Sequence, residues 1–592
     1  MLLVKRKIIK NLAVKCTLTA LMAFPLGGCA ADEDLNNQAP AAISAEAPVT
    51  TEGEQAATAE TTAVELPVQD PVVVAQTRDA LLAALPAGVT LKFMPELSSV
   101  YTTSEMKSLW EDEKVQKLFE QQLAEMALAG IQPQFGQWAK LLTQPEITGI
   151  ARDAVLSDAL LGYMHFVEGV KTNGNRWLYN KGSYKIAAPS AEMIVQWQQA
   201  VKNGNADKFI QSLAPQNTFY SKMHDSLKPL VEDVQPWPQM TLAKQSLRPG
   251  NSHKDVPVLR DILTRSGLIK GDGEATSHNA TAEGETSAPK KKVSLVYSGE
   301  LVDGVKRFQQ MYGMETDGVI GNTTREALNM APQTRAAILA LNIQRLRLLP
   351  NSMEHGIFVN IPDYSLAYYV NSELILESRV IVGSVKRKTP LMSSALNNVV
   401  VNPPWNVPVK LIREDLVPKA KRDAEYLKRG GYTVYSGWGK GATVVDPSTI
   451  DWSAGGNYRL QQAPGRGNAL GRFKFNMPND DAIYLHDTPN HRLFDKNMRA
   501  LSSGCIRVNK ASELANILLN EVGWDDNKIQ NTLKRGSTTY TNIREEIPVQ
   551  LYYMTSWVSN SGTPEFRTDI YGYDSAAQEG IKELPQVEKL LR

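Results

Sequence analysis

The sequence predicts a multidomain α+β protein, and three observations support this. The chain has 592 residues, which is too long for a single hydrophobic core. Apolar residues recur at three- and four-residue spacings from about 95 to 245, which is typical of packed helices. Short β-rich runs separated by turn residues follow Pro350, including 357–362 and 373–383. We therefore expect a helical region followed by a β-rich domain.

The composition argues against nucleic acid as a partner. Hydrophobic residues make up 42% of the chain, charged residues 21%, and the net charge is +1, as in ordinary globular proteins. The basic run Lys290–Lys292 lies in a polar segment, and we interpret it as a solvated loop. No nucleic-acid partner is expected.

The N-terminus predicts an export signal. A basic stretch at 5–10 precedes an apolar run at about 16–26, which is too short to span a bilayer, so we assign 1–28 as a signal peptide. The run ends in Leu-Gly-Gly-Cys at 26–29, which resembles the lipobox of bacterial lipoproteins. The resemblance implies a lipid on Cys29, and hence a membrane-anchored periplasmic protein of a Gram-negative bacterium. Cleavage by an ordinary signal peptidase is the alternative.

The segment 29–90 is predicted to be a disordered acidic linker. It is rich in Ala, Thr, Glu and Pro, and residues 30–75 contain no Lys or Arg. Such a composition buries too little apolar surface to offset the entropy of ordering. It would serve as a tether between the anchor and the folded domains.

Residues 91–247 are predicted to form an α-helical scaffold domain without a catalytic constellation. Its two histidines, His165 and His224, are interpreted as structural. The tail at 576–592 is expected to be helical and carries no predicted site.

A second unit is predicted at 248–333. The helical face that includes Val305 and Phe308 is followed by an Asp317-Gly318 turn and by a helix for which Thr323 or Thr324 is a candidate cap. This pattern resembles the small three-helix peptidoglycan-binding domain, interrupted by a polar insertion at 270–292. The resemblance implies binding to glycan strands of the cell wall.

The remaining domain, 334–575, is predicted to be β-rich with a helical, basic, Gly-rich insert at about 412–459. The chain has three cysteines, too few for a framework of several disulfides. Cleavage of the signal peptide would remove Cys16, and lipidation would modify Cys29. Cys505 is then either a buried inert residue or a nucleophile.

A cysteine nucleophile needs a base, and histidine is the residue best suited to that role. His355, His486 and His491 lie in this domain. His486 follows the apolar run 482–485 and precedes a turn, so we expect it at the end of a strand. A zinc site built from His486, His491 and Cys505 is disfavoured because no further ligand motif completes it.

Three blocks in this domain resemble the signature of the L,D-transpeptidase catalytic domain. They are PGRGNALGRFKF (464–475), IYLHDTP (483–489) and SSGCIRVNK (502–510). The matching positions are Pro464, Gly465, Asn468, Leu470, Gly471, His486, Ser502, Gly504, Cys505 and Arg507. The chain departs from the pattern at Ser503, where many members have histidine, at Asp487, where many have glycine, and at Asn509, which comes one residue early. The family resemblance implies an L,D-transpeptidase with a helical scaffold, a peptidoglycan-binding domain and a lidded catalytic domain.

The resemblance assigns roles in this sequence. Cys505 would be the nucleophile and His486 the general acid and base, with the imidazole oriented by the backbone carbonyl of Asp487. The backbone N–H groups of Gly504 and Cys505 would form the oxyanion hole.

Other positions are expected to contact the substrate or to order the loop. Arg507, Ser503, Trp405 and Trp438 are the expected substrate-binding residues, with ordering of the loop as the alternative role for Arg507 and Ser503. Asn509 is expected to order the loop and to cap the helix that follows. No metal and no cofactor are expected.

The implied reaction is acyl transfer from a tetrapeptide stem, with release of D-Ala and formation of a 3–3 cross-link under the lid at 412–459. The family also implies acylation by carbapenems, and other cell-wall synthases are possible partners in the same process. An L,D-carboxypeptidase or a wall–lipoprotein linking enzyme would use the same site. A non-catalytic peptidoglycan-binding scaffold is the alternative of another class.

Overall fold

The computed structural model describes residues 68–242, 245–270, 294–423 and 425–592. The predicted signal peptide, Cys29, most of the predicted linker and most of the polar insertion lie outside these ranges. Among the residues described, no helix is both long enough and apolar enough to cross a membrane.

The N-terminal region is a helical bundle. Phe119, Trp138 and Tyr163 belong to its core and are almost fully buried. The bundle consists of α1 (Pro71–Ala84), α2 (Met94–Thr103), α3 (Glu113–Ala129), α4 (Pro133–Leu142), α5 (Gly149–Trp177), α6 (Ala191–Lys202), α7 (Ala206–Leu213), α8 (Tyr220–Asp225) and α9 (Leu227–Glu232).

The linker prediction is wrong for 71–84, because this stretch forms α1. Pro71 occupies the first turn, and the Asp70 carboxylate caps the helix by accepting the N–H of Val72 at 2.9 Å. Leu81 is fully buried, and α1 packs against α2 and α5. One apolar contact face therefore orders a segment whose composition alone suggested disorder.

A second, separate core is built mainly from residues that lie between the bundle and the β-rich domain in the chain. It is built around α10 (Val256–Arg265), α11 (Glu300–Met311) and α12 (Asn322–Leu328). The side chain of Gln309 accepts the N–H of Gly318 at 2.8 Å and so holds the predicted turn. The cap prediction is wrong, because Thr323 and Thr324 lie inside α12 and Gly321 occupies the cap position.

The next helix, α13 (Pro332–Arg345), packs against α3 of the bundle and also contacts the β-rich domain. Its last residue, Arg345, is fully buried and donates to the carbonyl oxygens of Leu178 (3.0 Å) and Tyr573 (2.8 Å) and to Asp574 Oδ1 (2.7 Å). A buried guanidinium is tolerated only when its donors are satisfied in this way. Arg345 thus ties the helical bundle to the C-terminal part of the chain.

The β-rich domain follows a short 3₁₀ turn at Leu346–Leu348. It begins with β1 (Gly356–Asn360), β2 (Ser365–Val370), β3 (Glu373–Gly383) and β4 (Met392–Val401). The insert then comprises β5 (Trp405–Asn406), α14 (Val409–Leu411), a π-helix at Ile412–Leu416, α15 (Val417–Arg422), α16 (Tyr426–Arg429), β6 (Tyr432–Tyr435), β7 (Val444–Val445), a 3₁₀ turn at Pro447–Thr449 and β8 (Arg459–Gln462). The chain returns through β9 (Phe473–Asn476), β10 (Leu485–His486), a 3₁₀ turn at His491–Asp495, β11 (Ala500–Ser502), β12 (Ile506–Val508), α17 (Ala511–Asn520), α18 (Asp526–Arg535), β13 (Thr539–Tyr552), β14 (Ser556–Val558) and β15 (Pro564–Phe566).

These strands form a nine-stranded sheet in the order β11-β3-β12-β10-β9-β4-β13-β1-β2. A further pairing joins β2, the last strand of this order, to β3, the second, so the sheet closes on itself like a barrel. The insert forms its own four-stranded sheet, β5-β8-β6-β7, together with its helices. It therefore contains more strand than its sequence suggested.

The C-terminal tail folds back onto the bundle. It consists of α19 (Ala576–Gly580), a 3₁₀ turn at Ile581–Glu583 and α20 (Leu584–Leu591). Both helices pack against α3. At Gly130, which ends α3 with φ +69°, a Cβ would lie 2.0 Å from the carbonyl oxygen of Ala576. This contact requires glycine at position 130, because any side chain would push the tail away.

Candidate active site

Two short neighbouring strands place the predicted nucleophile and base side by side. β10 and β12 are parallel, with Leu485 opposite Ile506 and His486 opposite Arg507. Cys505 immediately precedes β12 and is opposite Tyr484, whose carbonyl accepts the N–H of Ile506 at 3.2 Å. Alternate residues of a strand share a face, so His486 and Cys505 are diagonal neighbours on one face of the sheet. His486 is the last residue of β10, as the sequence predicted.

The imidazole of His486 is held by the chain itself. Nδ1 lies 2.5 Å from the backbone carbonyl oxygen of Asp487. A carbonyl oxygen can only accept, so Nδ1 carries the proton and Nε2 is left as the basic nitrogen. Burial lowers the pKa of His486 to about 3, and the positive charge of Arg507 adds to the effect. The ring is therefore neutral at neutral pH and able to accept a proton.

Cys505 is 1% exposed, and its sulfur lies against backbone. The N–H of Tyr484 donates to Sγ at 3.4 Å, and Sγ is 3.9 Å from the carbonyl oxygen of Ala482. The ammonium of Lys474 lies 4.2 Å from the centre of the Tyr484 ring, and Arg507 follows two residues after Cys505. The sulfur thus has a backbone N–H donor, and two basic residues belong to the segments around it.

The loop preceding the nucleophile is ordered by Ser502. Its hydroxyl accepts the N–H of Gly504 at 3.1 Å and donates to the carbonyl oxygen of Cys505 at 2.7 Å. Gly504 has φ +132°, a conformation that favours glycine. Of the two predicted oxyanion donors, the Gly504 N–H is thus engaged by Ser502 and would have to leave that hydroxyl to serve a substrate.

A second loop, 384–389, forms hydrogen bonds with three successive residues of the segment before Cys505. The N–H of Ser384 donates to the carbonyl oxygen of Ser502 at 2.9 Å. Arg387 Nη1 donates to Ser503 Oγ at 2.9 Å, and Thr389 Oγ1 donates to the carbonyl oxygen of Gly504 at 2.6 Å. Sequence reasoning missed this loop, since no local motif marks residues that act on a segment more than one hundred positions away.

The Asp487 side chain supports the turn that follows His486. It accepts the N–H of Arg472 at 2.8 Å and lies 3.3 Å from Nε2 of His491, whose side chain is 54% exposed. Burial raises the pKa of this carboxyl group. Gly471 fits the turn closely, because a Cβ there would lie 2.3 Å from Asp487 Oδ2. This contact explains why glycine is needed in the upstream block.

Arg507 is 4% exposed, and burial lowers the pKa of its guanidinium to about 10, so it remains charged. Its strand position next to His486 makes it part of the electrostatic environment of that imidazole. A role in ordering the site fits this burial better than a role as an exposed substrate contact.

The two tryptophans predicted to bind substrate differ in their exposure. Trp405 is 1% exposed and packs against Tyr432 inside the insert, so it does not line an open substrate site. Trp438 is 40% exposed and stays available for contact.

The role predicted for Asn509 as a helix cap does not fit the structure. The cap position of α17 is Lys510, without a side-chain hydrogen bond. Asn509 Oδ1 instead lies 3.4 Å from Nδ1 of His491. Within the described ranges, no His, Cys, Asp and Glu side chains gather in threes or more to hold a metal ion.

Three parts of the chain match models of known protein families. Residues 354–539 match the family model described as "L,D-transpeptidase catalytic domain", residues 95–227 the "Scaffold domain", and residues 285–328 the "Putative peptidoglycan binding domain". The chain is 36% identical over 488 residues to a protein of Haemophilus influenzae (strain ATCC 51907 / DSM 11121 / KW20 / Rd) named "Putative L,D-transpeptidase". That match covers 82% of this chain and 79% of the relative.

Among solved structures, the L,D-transpeptidase (residues 123–326) from Xylanimonas cellulosilytica DSM 15894 is 13% identical. The comparison covers 53% of this chain and 100% of that one, with a TM-score of 0.17. The family matches confirm the resemblance seen in the sequence, and with the observed elements they confirm the multidomain α+β fold class.

Proposed function

The chain belongs to the L,D-transpeptidase family, and from that premise we propose that it forms 3–3 cross-links in peptidoglycan by acyl transfer through Cys505. The observation that carries the proposal is the pairing of β10 with β12. This pairing puts His486, with Nδ1 held by the Asp487 carbonyl, diagonally beside Cys505.

The first step transfers the acyl group to the enzyme. Nε2 of His486 takes the thiol proton, and the Cys505 thiolate attacks the carbonyl carbon of the third residue in a tetrapeptide stem. The tetrahedral intermediate collapses, its bond to D-Ala breaks, and the protonated His486 returns the proton to the departing amine. The products are D-Ala and a thioester on Cys505.

The second step regenerates the enzyme. The side-chain amine of a diaminopimelate-type residue in another stem attacks the thioester carbonyl and loses a proton to His486. Collapse of this intermediate forms the amide of the cross-link and releases the Cys505 thiolate, which recovers its proton from His486. The insert at 412–459 would exclude water, which would otherwise hydrolyse the thioester.

The test incubates the reduced protein with muropeptides that bear tetrapeptide stems and measures D-Ala release and cross-linked dimers by mass spectrometry. We expect both products from the wild type and from His355→Gln, an exposed histidine in the same domain. Cys505→Ala should give neither product. Dimers formed at the wild-type rate by Cys505→Ala would refute the assignment.

The same assay separates the related activities. Tripeptide stems without dimers would indicate an L,D-carboxypeptidase, and attachment to a protein amine would indicate a linking enzyme. Binding to intact peptidoglycan with no D-Ala release under reducing conditions would indicate a scaffold. A carbapenem adduct on the Cys505 peptide offers an independent check of the nucleophile.

Location and wall binding are further parts of the proposal. We propose lipid attachment at Cys29 in the periplasm, tested by comparing membrane fractions of the wild type and Cys29→Ala. We propose that 248–333 retains the enzyme on glycan strands alongside other cell-wall synthases. Deleting this unit should reduce sedimentation with purified peptidoglycan.

A further inference from the structure

Arg387 contacts two parts of the catalytic domain that are separate in the chain. Towards the nucleophile, its Nη1 donates to Ser503 Oγ at 2.9 Å. Towards the insert, Nη1 and Nη2 donate to the two carboxylate oxygens of Asp415 at 2.6 and 2.8 Å, and Nη2 also reaches Glu414 Oε2 at 2.7 Å. One guanidinium therefore joins the π-helix of the insert to the loop that carries Cys505.

The π-helix and the loop that carries Cys505 are each held by further contacts. The π-helix is anchored by Ile412 and Leu416, which are 5% and 2% exposed. The nucleophile loop is held on either side of Ser503 by hydrogen bonds from Ser384 and Thr389. A small shift of the π-helix would therefore be transmitted through Arg387 to Ser503, two residues before the nucleophile.

The geometry distinguishes this contact from an ordinary surface ion pair. The Arg387 side chain is 18% exposed and that of Asp415 is 23% exposed, so water screens the bidentate pair only in part. The insert contains a second arginine–aspartate pair, Arg429 with Asp423, whose side chains are 61% and 44% exposed. The hydrogen bonds between these two residues stay within the insert, and the pair therefore supplies a matched control.

We propose that Arg387 is a positioning residue that couples docking of the insert, through Asp415, to the placement of the Ser502–Cys505 loop, through Ser503. The proposal rests on the proposed acyl transfer for its kinetic consequence. Substrate binding under the insert would thereby set the nucleophile loop in its working geometry. Lysine can reproduce this role only in part, because it keeps the charge but its single ammonium lacks the planar fork that reaches both partners together.

The experiment measures kcat and KM for D-Ala release by the reduced full-length protein. Arg387→Met should lower kcat by about 10-fold or more, since a displaced nucleophile slows the chemical step, and should change KM by less than about threefold. Arg387→Lys should fall between the wild type and Arg387→Met. Arg429→Met and Asp423→Asn should retain wild-type values. Thermal unfolding of each variant identifies any that do not fold, and Arg387→Lys then carries the test.

Coupling is tested by combining variants at the two ends. Asp415→Asn and Ser503→Ala should each lower kcat, and together they should lower it by less than the product of the separate effects. In the Arg387→Met background, neither should reduce kcat further. Separate effects that multiply in the wild-type background, or that persist without Arg387, overturn the proposal.

A substrate-free readout separates this proposal from the proposed function. Alkylation of reduced Cys505 by iodoacetamide, followed on the peptide that contains it, should be at least about threefold faster in Arg387→Met than in the wild type, because the insert no longer holds the loop. An alkylation rate that does not rise overturns the coupling. A wild-type protein that neither releases D-Ala nor forms dimers refutes the proposed function, while a faster alkylation rate in Arg387→Met still supports the coupling.

Discussion

The backbone carbonyl oxygen of Asp487 lies 2.5 Å from Nδ1 of His486, the residue directly before it. The imidazole is thus oriented by a main-chain atom, whatever the side chain at position 487. The carboxylate of Asp487 instead accepts the N–H of Arg472 and lies beside His491. Asp487 therefore orients His486 through its backbone and supports the surrounding turn through its side chain.

We predict that His486→Gln lowers the rate of D-Ala release by about 100- to 10,000-fold, the range typical of losing a general acid–base residue. Glutamine is similar in size but cannot take the thiol proton. The measurement is a time course of D-Ala release at pH 7 under reducing conditions. His491→Gln is the control and should lose less than about fivefold, because the His491 ring is half-exposed and lies against Asp487 and Asn509. Equal losses in both variants would argue against His486 as the base.

The same histidine should make stability depend on pH. Its folded-state pKa, lowered to about 3 by burial, lies below the ordinary value of 6.5. The unfolded chain therefore binds the proton first, and the stabilisation is complete above pH 6.5 and is lost as pH falls towards 3. Between pH 6.5 and 4.5 this amounts to roughly 2 to 3 kcal/mol. Urea unfolding at the two pH values should show a larger loss in the wild type than in His486→Gln, and identical losses would contradict burial of His486 as the cause.

We predict that Gly471→Ala is strongly destabilising and inactivating. Gly471 has φ +65°, and an added Cβ would lie 2.3 Å from Asp487 Oδ2 and 2.6 Å from the backbone nitrogen of Thr488. Gly431→Ala is the matched control, because Gly431 has φ +70° with nothing within 4 Å. Both variants carry the backbone strain of about 1 kcal/mol, and only Gly471→Ala adds the clash. Unfolding midpoints that fall equally in the two variants would rule the clash out.

Thr389→Val should lower both stability and activity. The Thr389 hydroxyl is buried, donates to the carbonyl oxygen of Gly504 at 2.6 Å and accepts the N–H of Gly383 at 2.8 Å. Valine keeps the shape but leaves two buried backbone groups unsatisfied, which costs about 1 to 3 kcal/mol for each. Thr389→Ser keeps the hydroxyl and should recover most of the activity measured by D-Ala release. Failure of serine to do better than valine would show that shape, and not the hydrogen bonds, matters at this position.

Local patterns in the sequence were enough to predict the class of fold, and they singled out the pair of residues that we propose to react. Helical spacing predicted the bundle, because burying one face of a helix imposes a period that remains visible in the sequence. The spacing of the blocks around His486 and Cys505 indicated the family, which the comparisons confirm. The errors came where local composition competed with tertiary contacts. Residues 71–84, which the composition assigned to the linker, form helix α1 because Leu81 packs into the helical core.

Only the tertiary structure decided which residues hold His486 and Cys505 in place. Loop 384–389 reaches the nucleophile loop across more than one hundred residues, and Arg387 extends that contact to the insert. Trp405, an attractive substrate contact in the sequence, is buried in the core of the insert. The physical reason is the same in each case. A motif records the chemistry that a residue can perform, whereas contacts between distant segments depend on how the barrel closes and leave no periodic trace in the chain.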